Sequence, residues 1–448
     1  MIGYFVYFQT MVSSSVITSP YNKRQDTFAD RVVRGNIVTE DGIVVAATNV
    51  AEDGTETRIY PYSNMFAHAV GYASHGKTGI ELLANYQLLT SHAYFLERFV
   101  NEVQEEKNYG DQVITTLNFQ MQKIAYEALG DYRGAVIALE PSTGKILTMV
   151  SKPDYDPNLI DQNWSGISES GESVLLNRAT QGLYPPGSTF KIVTLLEYLR
   201  EGYDLNAWNY ECTGNYTEDG VSISCYHGSS HGTLDLKTAF AKSCNGAFAK
   251  IGMEIDPASF RETCEKLLFH KELPLEFPYK KSSIAIAQGA DTGTIMQTAI
   301  GQSTTEVTPM HMALLTAAIA NGGNLMKPYI IDSIENYTGE QVKKYMPSSY
   351  GKLMSAEEAG ILTEYMTETV LSGTGRKLQS EAYTAAGKTG TAEYTSDKSK
   401  SHAWFVGFSN VEDPDLVVCV LVESAGAGSE YAVPIAKRMF DCYYTLTE

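Results

Sequence analysis

A serine and a lysine three residues apart carry the first chemical signal in this chain: Ser188-Thr189-Phe190-Lys191 follows Tyr184-Pro185-Pro186-Gly187. Prolines and then a glycine ahead of the apolar residues Phe190, Ile192, Val193, Leu195 and Leu196 mark a helix start, with Ser188 on its first turn. Positions i and i+3 share a helical face, so the Lys191 ammonium can reach the Ser188 hydroxyl. A serine hydroxyl is a weak nucleophile, and lysine serves as its base only where burial or a nearby cation keeps it neutral. The helix start also favours negative charge developing at that place. Alone, the S-x-x-K spacing arises by chance in any chain.

Two later segments change its weight. Ser243-Cys244-Asn245 taken singly is a polar helix start, and Gly387-Lys388-Thr389-Gly390-Thr391-Ala392 a glycine-rich turn. Beside Ser188, each acquires a task. Lys388 brings a second cation toward Lys191, so the two titrate as one unit, and it attracts an anionic substrate end. Gly387 and Gly390 are expected to let an extended peptide add to the strand edge while the Thr389 and Thr391 hydroxyls bind its carboxylate. Ser243 is expected to relay a proton between Lys191 and a departing amine, and Asn245 to hold a substrate amide. The backbone N–H groups of Ser188 and Thr391 would form an oxyanion hole. The catalytic set is therefore Ser188, Lys191, Ser243, Asn245 and Lys388, and the substrate-binding set Thr389, Gly390 and Thr391. No metal and no cofactor is assigned.

These residues need a framework. A chain of 448 residues exceeds what one core fills, and 43% hydrophobic with 19% charged residues describes a globular protein. Net charge of −19 disfavours nucleic acid and anionic lipid as partners. The apolar start Met1 to Val12 is too short to span a bilayer and reads as the outer end of a membrane anchor, against the plainer reading of a buried strand or helix end. Residues 13–110 mix β-rich pieces with a helical stretch from Gly79 to Glu105, and the polar break at 105–110 sets the boundary of a second domain over 111–448. That domain should open with a helix carrying Leu117, Met121, Ile124 and Ala128, followed by a hairpin over 134–150. A mainly helical middle over 188–321, central strands at 403–408 and 416–422 and a last helix at 430–444 complete it. The expected class is α+β: a central antiparallel sheet closed by both ends of the domain, flanked by helices and a helical lobe, with a smaller β-rich N-terminal domain.

In the order S-x-x-K, S-x-N, K-T-G, the motifs resemble those of penicillin-binding proteins and serine β-lactamases. Arg34-Gly35-Asn36-Ile37 with Asp41-Gly42, and Gly71-Tyr72 with Gly79-Ile80-Glu81, are similar to the N-terminal pedestal of class B penicillin-binding proteins. So is Asn22-Lys23-Arg24; Ile300-Gly301-Gln302, Thr308-Pro309 and Ala320-Asn321-Gly322-Gly323 match the catalytic part. The resemblance covers nearly the whole chain and leans to the compact A-type members. It implies a membrane-anchored D,D-transpeptidase with its domains on the extracytoplasmic side, acting on peptidoglycan stem peptides ending in D-Ala-D-Ala and acylated by β-lactams. It also implies a SEDS-family membrane glycosyltransferase as partner. A β-lactamase or β-lactam sensor of the same fold is the alternative. The Glu-x-x-x-Asn deacylation element of class A β-lactamases is missing, since no asparagine lies between Asn245 and Asn321.

Three other patterns in the sequence compete with this one. Gly71 to Thr78 fits G-x-x-x-x-G-K-[ST], yet the preceding Tyr60-Pro61-Tyr62 reads poorly as the buried strand a phosphate loop needs. His227, His231 and His402 offer a Ser-His-Asp alternative, but no histidine replaces the lysine logic, and His402 is expected to pack beside the K-T-G strand. Among six cysteines, Cys212 and Cys225 with His227 and His231 allow three readings: a surface disulfide, favoured, then packing thiols, then zinc.

Overall fold

The computed structural model describes residues 22–394 and 400–447; the expected anchor end at 1–12 lies outside them. No helix among the described residues is long and apolar enough to cross a membrane. The chain divides into two compact units: Met1–Gln122 with Asp154–Leu175 and Tyr329–Met346, and Lys123–Pro153 with Leu176–Pro328 and Pro347–Glu448.

The first unit is built on a six-stranded sheet in the order Gln341–Lys344, Ile331–Glu335, Gln112–Thr115, Ile37–Val38, Val44–Val50, Glu56–Ile59. Its central strand, Gln112–Thr115, lies past the expected boundary at 105–110, and the hairpin 331–344 returns from far along the chain to pair with it. The linear division into 13–110 and 111–448 therefore differs from the contact-defined units, because strand pairing depends on partners distant in sequence. The Gly79 to Glu105 stretch forms three helices, Gly79–Leu83, Asn85–Leu88 and Phe95–Gln104. Between the last two, Asp111 draws the chain out by accepting from the His92 backbone N–H at 2.9 Å. The pedestal-like residues have a physical role: Glu81, fully buried, is paired by Arg34 at 2.6 Å and Arg58 at 2.7 Å. The phosphate-loop pattern dissolves here. Gly71 follows the short helix Ala67–Val70 rather than a strand, and Lys77 pairs with Asp26 at 2.7 Å.

In the second unit, β1 (Gly134–Leu139) and β2 (Ile146–Lys152) make the expected hairpin. Helices α1 (Lys191–Arg200), α2 (Asn245–Glu254) and α3 (Pro309–Ala320) follow, then β3 (Ala385–Ala392), β4 (His402–Ser409), β5 (Val417–Val422) and α4 (Gly428–Thr447). The sheet order is β3-β4-β5-β1-β2, antiparallel throughout, so the unit's first and last strands close one sheet. Every residue of β4 and β5 is buried, which is why both read as unbroken apolar runs rather than alternating ones. Helix α3, buried at all positions, and α4 pack against this sheet.

The middle of the unit departs from expectation. Residues 209–235 form paired strands, Asn209–Cys212 with Gly232–Asp235 and Asn215–Glu218 with Val221–Ser224. The second hairpin turns at Asp219-Gly220, where both φ angles are positive, 47° and 77°. Asp-Gly is the residue pair such a two-residue turn favours, a signal present in the sequence and outweighed there by the surrounding helices.

Candidate active site

The nucleophile turn is clamped from several sides. Gly187–Phe190 forms a tight helical turn leading into α1, so Ser188 sits at its start, half-buried. Gly187 has φ of 53° and donates its N–H to the Gly301 carbonyl at 2.9 Å. A Cβ on Gly301 would lie 2.1 Å from the Gly187 oxygen, and one on Gly187 would lie 2.8 Å from the Thr391 oxygen. Only glycine fits either place. The Trp404 indole N–H donates to the Pro185 carbonyl at 3.0 Å, fixing the approach to the turn from β4.

Lys191 and Lys388 are both fully buried and meet through Ser243. Lys191 Nζ donates to Asn245 Oδ1 and to the Ser243 carbonyl, each at 2.8 Å, and lies 3.4 Å from Ser243 Oγ. Lys388 Nζ donates to Ser243 Oγ and to the Thr389 carbonyl, each at 2.9 Å. Burial pushes Lys191 down to about 8, and it pushes Lys388 well below the usual lysine range, with repulsion from Lys191 added. A neutral lysine has two N–H bonds and one lone pair. With both N–H bonds spent on Asn245 and Ser243, the Lys191 lone pair is left to accept a proton.

Ser243 is placed by an unusual helix ending. Helix Leu236–Ala241 closes with Ser243 N–H on the Phe240 carbonyl and Cys244 N–H on the Ala239 carbonyl, a Schellman arrangement. Ser243, at φ of 56°, occupies the left-handed position where glycine is the default. A side chain there costs on the order of 1 kcal/mol and puts the hydroxyl between the two lysines.

Among the described residues, strand β3 is the edge of its sheet, paired with β4 alone. Its Thr389 and Thr391 line a cavity of about 860 Å³ together with Ser188, Ser243, Asn245 and Thr374. The glycines act differently from expectation. A Cβ on Gly387 would lie 2.5 Å from the Phe405 ring, and one on Gly390 would lie 3.0 Å from the Pro186 oxygen, Thr189 and Trp404. Both make room for the protein's own packing. For Gly390, that packing seats the nucleophile turn on β3.

Sequence reasoning missed Thr374, whose hydroxyl is 2.5 Å from that of Thr389; flanking glycines were its only signal. It also missed Glu423, which accepts from Tyr184 at 2.7 Å, Arg178 at 2.8 Å and Arg133 at 3.1 Å beneath the nucleophile turn. Burial raises the Glu423 pKa, but the Tyr184 hydrogen bond and the Arg178 charge outweigh it and leave the group low. No local pattern marks these four residues, which lie far apart in sequence. His402 stacks on Tyr394 at 4.3 Å and accepts from the Ser424 N–H, beside β3 as expected.

The favoured cysteine reading is corrected. Cys212 and Cys225 are buried free thiols with sulfurs 3.7 Å apart, not a surface disulfide. Cys244, the middle residue of S-x-N, joins them.

Comparison with known proteins agrees with this architecture. Residues 134–441 match the penicillin binding protein transpeptidase domain, and residues 34–113 the penicillin binding protein A dimerisation domain. The peptidoglycan D,D-transpeptidase PbpA of Mycolicibacterium smegmatis is 31% identical over 96% of this chain and 92% of that protein. The Mycobacterium tuberculosis PbpA is 30% identical over 97% and 93%. Among solved structures, the ceftriaxone acyl-enzyme of penicillin-binding protein A from M. tuberculosis superposes with a TM-score of 0.84, at 29% identity, covering 93% of this chain and 99% of that one. A D,D-transpeptidase domain from Eggerthella lenta gives 0.83 at the same identity. With a transpeptidase domain built around three motifs that meet at one cavity, and a pedestal whose buried Glu81 is held by Arg34 and Arg58, this chain belongs to the class B penicillin-binding proteins.

Proposed function

We propose that the protein crosslinks peptidoglycan by D,D-transpeptidation through an acyl-Ser188 intermediate. The observation that carries this reading is the Ser243 hydroxyl shared between Lys191 and Lys388 at the edge of the cavity that Ser188 lines. Neutral Lys191 takes the Ser188 proton as Oγ attacks the carbonyl of the penultimate D-Ala. The Ser188 and Thr391 N–H groups hold the oxyanion. The proton then passes through Ser243 Oγ to the leaving amine, and the terminal D-Ala departs. An amine from a second stem peptide attacks the acyl-serine, gives up its proton by the reverse route, and releases Ser188. Thr389, Gly390 and Thr391 form the edge along which the stem peptide lies, its carboxylate near Thr389, Thr391 and Lys388. Asn245 holds a substrate amide.

A β-lactam acylates Ser188 by the same steps, but its opened ring stays attached and blocks the incoming amine. With no Glu-x-x-x-Asn element to place a water, the adduct should persist for many minutes. The relatives act outside the cytoplasm; an N-terminal anchor and a SEDS-family glycosyltransferase partner belong to the same reading. The test is intact-protein mass after mixing with penicillin, followed by peptide mapping. A single lasting adduct on Ser188, absent from Ser188→Ala, is the expected result; labelling elsewhere, or rapid multiple-turnover hydrolysis, overturns it.

A further inference from the structure

Four side chains from four separate segments converge beside the S-x-N motif. Cys212 ends one strand of the 209–235 ribbon, Cys225 follows its hairpin, His231 precedes Gly232–Asp235, and Cys244 caps α2. The sulfur separations are 3.7 Å for Cys212 to Cys225, 3.6 Å for Cys225 to Cys244 and 3.5 Å for Cys212 to Cys244. His231 Nδ1 lies 3.3 Å from the Cys212 sulfur, and all four donor atoms fall within 4.8 Å of one another. His227, grouped with them on sequence grounds, stays outside.

A tetrahedron with metal–sulfur bonds of about 2.3 Å and a metal–nitrogen bond of about 2.0 Å has sulfur–sulfur edges of about 3.8 Å and sulfur–nitrogen edges of about 3.5 Å. Four of the six edges match to within about 0.3 Å, and the other two, from the His231 nitrogen to the Cys225 and Cys244 sulfurs, lie within 4.8 Å. A disulfide does not describe the cluster, since three mutually close sulfurs would leave one unpaired. The His231 nitrogen beside the Cys212 sulfur adds a fourth donor of the kind zinc takes. The ribbon itself needs a staple. Among its strand residues and Cys225, only Cys212, Ile223, Cys225 and Leu234 are buried, too few to hold four short strands together.

We propose that Cys212, Cys225, His231 and Cys244 bind one Zn²⁺ in a closed Cys₃His site that fixes the S-x-N loop in its working position. Three thiolates and a neutral imidazole leave the site with one net negative charge, and the thiol protons go to solvent on binding. Soft and borderline donors in a tetrahedron select zinc over calcium or magnesium. The metal ties the ribbon to the residue between Ser243 and Asn245, and Asn245 Nδ2 already reaches the Ser224 carbonyl at 3.0 Å. Both motif side chains contact Lys191, so the site acts on chemistry by position. That consequence rests on the transpeptidase reading, whereas metal binding does not.

The test uses the full chain purified without added metal. Elemental analysis should find about one zinc per chain, and X-ray absorption should show three sulfur ligands and one nitrogen. Zinc should be lost in Cys212→Ser and retained in Cys264→Ser, Cys419→Ser and Cys442→Ser. Removing zinc from the native protein with a chelator should slow penicillin acylation at least ~10-fold, and zinc alone should restore it. A chain free of zinc that acylates at full rate, or a disulfide among the three cysteines in the isolated protein, overturns the site. Stoichiometric zinc whose removal leaves acylation unchanged overturns the positioning role. Zinc present with no acylation at all would instead count against the transpeptidase reading.

Discussion

Raising the pH should accelerate acylation of Ser188, because the base that activates it is a buried lysine. Burial lowers Lys191 from 10.5 to about 8, so only about a tenth of it is neutral near pH 7, half near pH 8 and nearly all above about pH 9. If the neutral fraction sets the rate, acylation rises about five-fold between pH 7 and pH 8 and about ten-fold to the plateau. Both Lys191 N–H bonds to Asn245 and Ser243 persist in the neutral form, so geometry does not change across the titration. The assay is stopped-flow acylation by a fluorescent penicillin at saturating and limiting concentrations, with the adduct confirmed by mass at each pH. The same shift acts on stability. Between about pH 8 and about pH 10.5 the folded chain binds fewer protons than the unfolded one at this site, so its contribution to stability grows as pH rises through that window. A rate profile flat from about pH 6 to about pH 9, or one rising only near the ordinary lysine value, would refute Lys191 as the base.

Two further substitutions probe the support of the nucleophile. Gly301→Ala places a methyl group 2.1 Å from the Gly187 oxygen and should slow acylation more than ~10-fold. Gly289→Ala carries a similar φ, 78° against 74°, with open space around it, and should acylate normally; equal effects from both would remove the steric argument. Glu423→Ala leaves the buried Arg178 and the Tyr184 hydroxyl without their carboxylate and should destabilise the fold by about 3 kcal/mol. Chemical denaturation showing a loss under about 1 kcal/mol would mean that the cluster is not what holds the turn from below.

The motifs were legible because each is local and chemically restrictive. A serine three residues before a lysine at a helix start, with proline and glycine ahead of it, states a face and an orientation without reference to the rest of the chain. Continuous apolar runs likewise announced β4 and β5, and alternation with a turn announced the β1–β2 hairpin. The 209–235 ribbon was not legible in this way: its side chains are mostly exposed, so it carries little hydrophobic pattern, and its Asp219-Gly220 turn stood alone. The glycines of the K-T-G strand were identified but assigned to the wrong neighbour, since sequence does not say which atoms fill the space a missing Cβ leaves.

By itself, then, the sequence determined which residue types would do chemistry, their order and the class of fold that could gather them, because helix and strand periodicity and turn preference act over a few residues. Tertiary structure alone decided that Ser243 would stand between two lysines separated from each other by nearly two hundred positions, and that burial would lower the proton affinity of both. It also decided that Thr374 would meet Thr389, that Glu423 would collect three partners, and that three cysteines and a histidine would share one point. Such meetings depend on how the chain returns to itself through the sheet, and desolvation exists only once that return has excluded water.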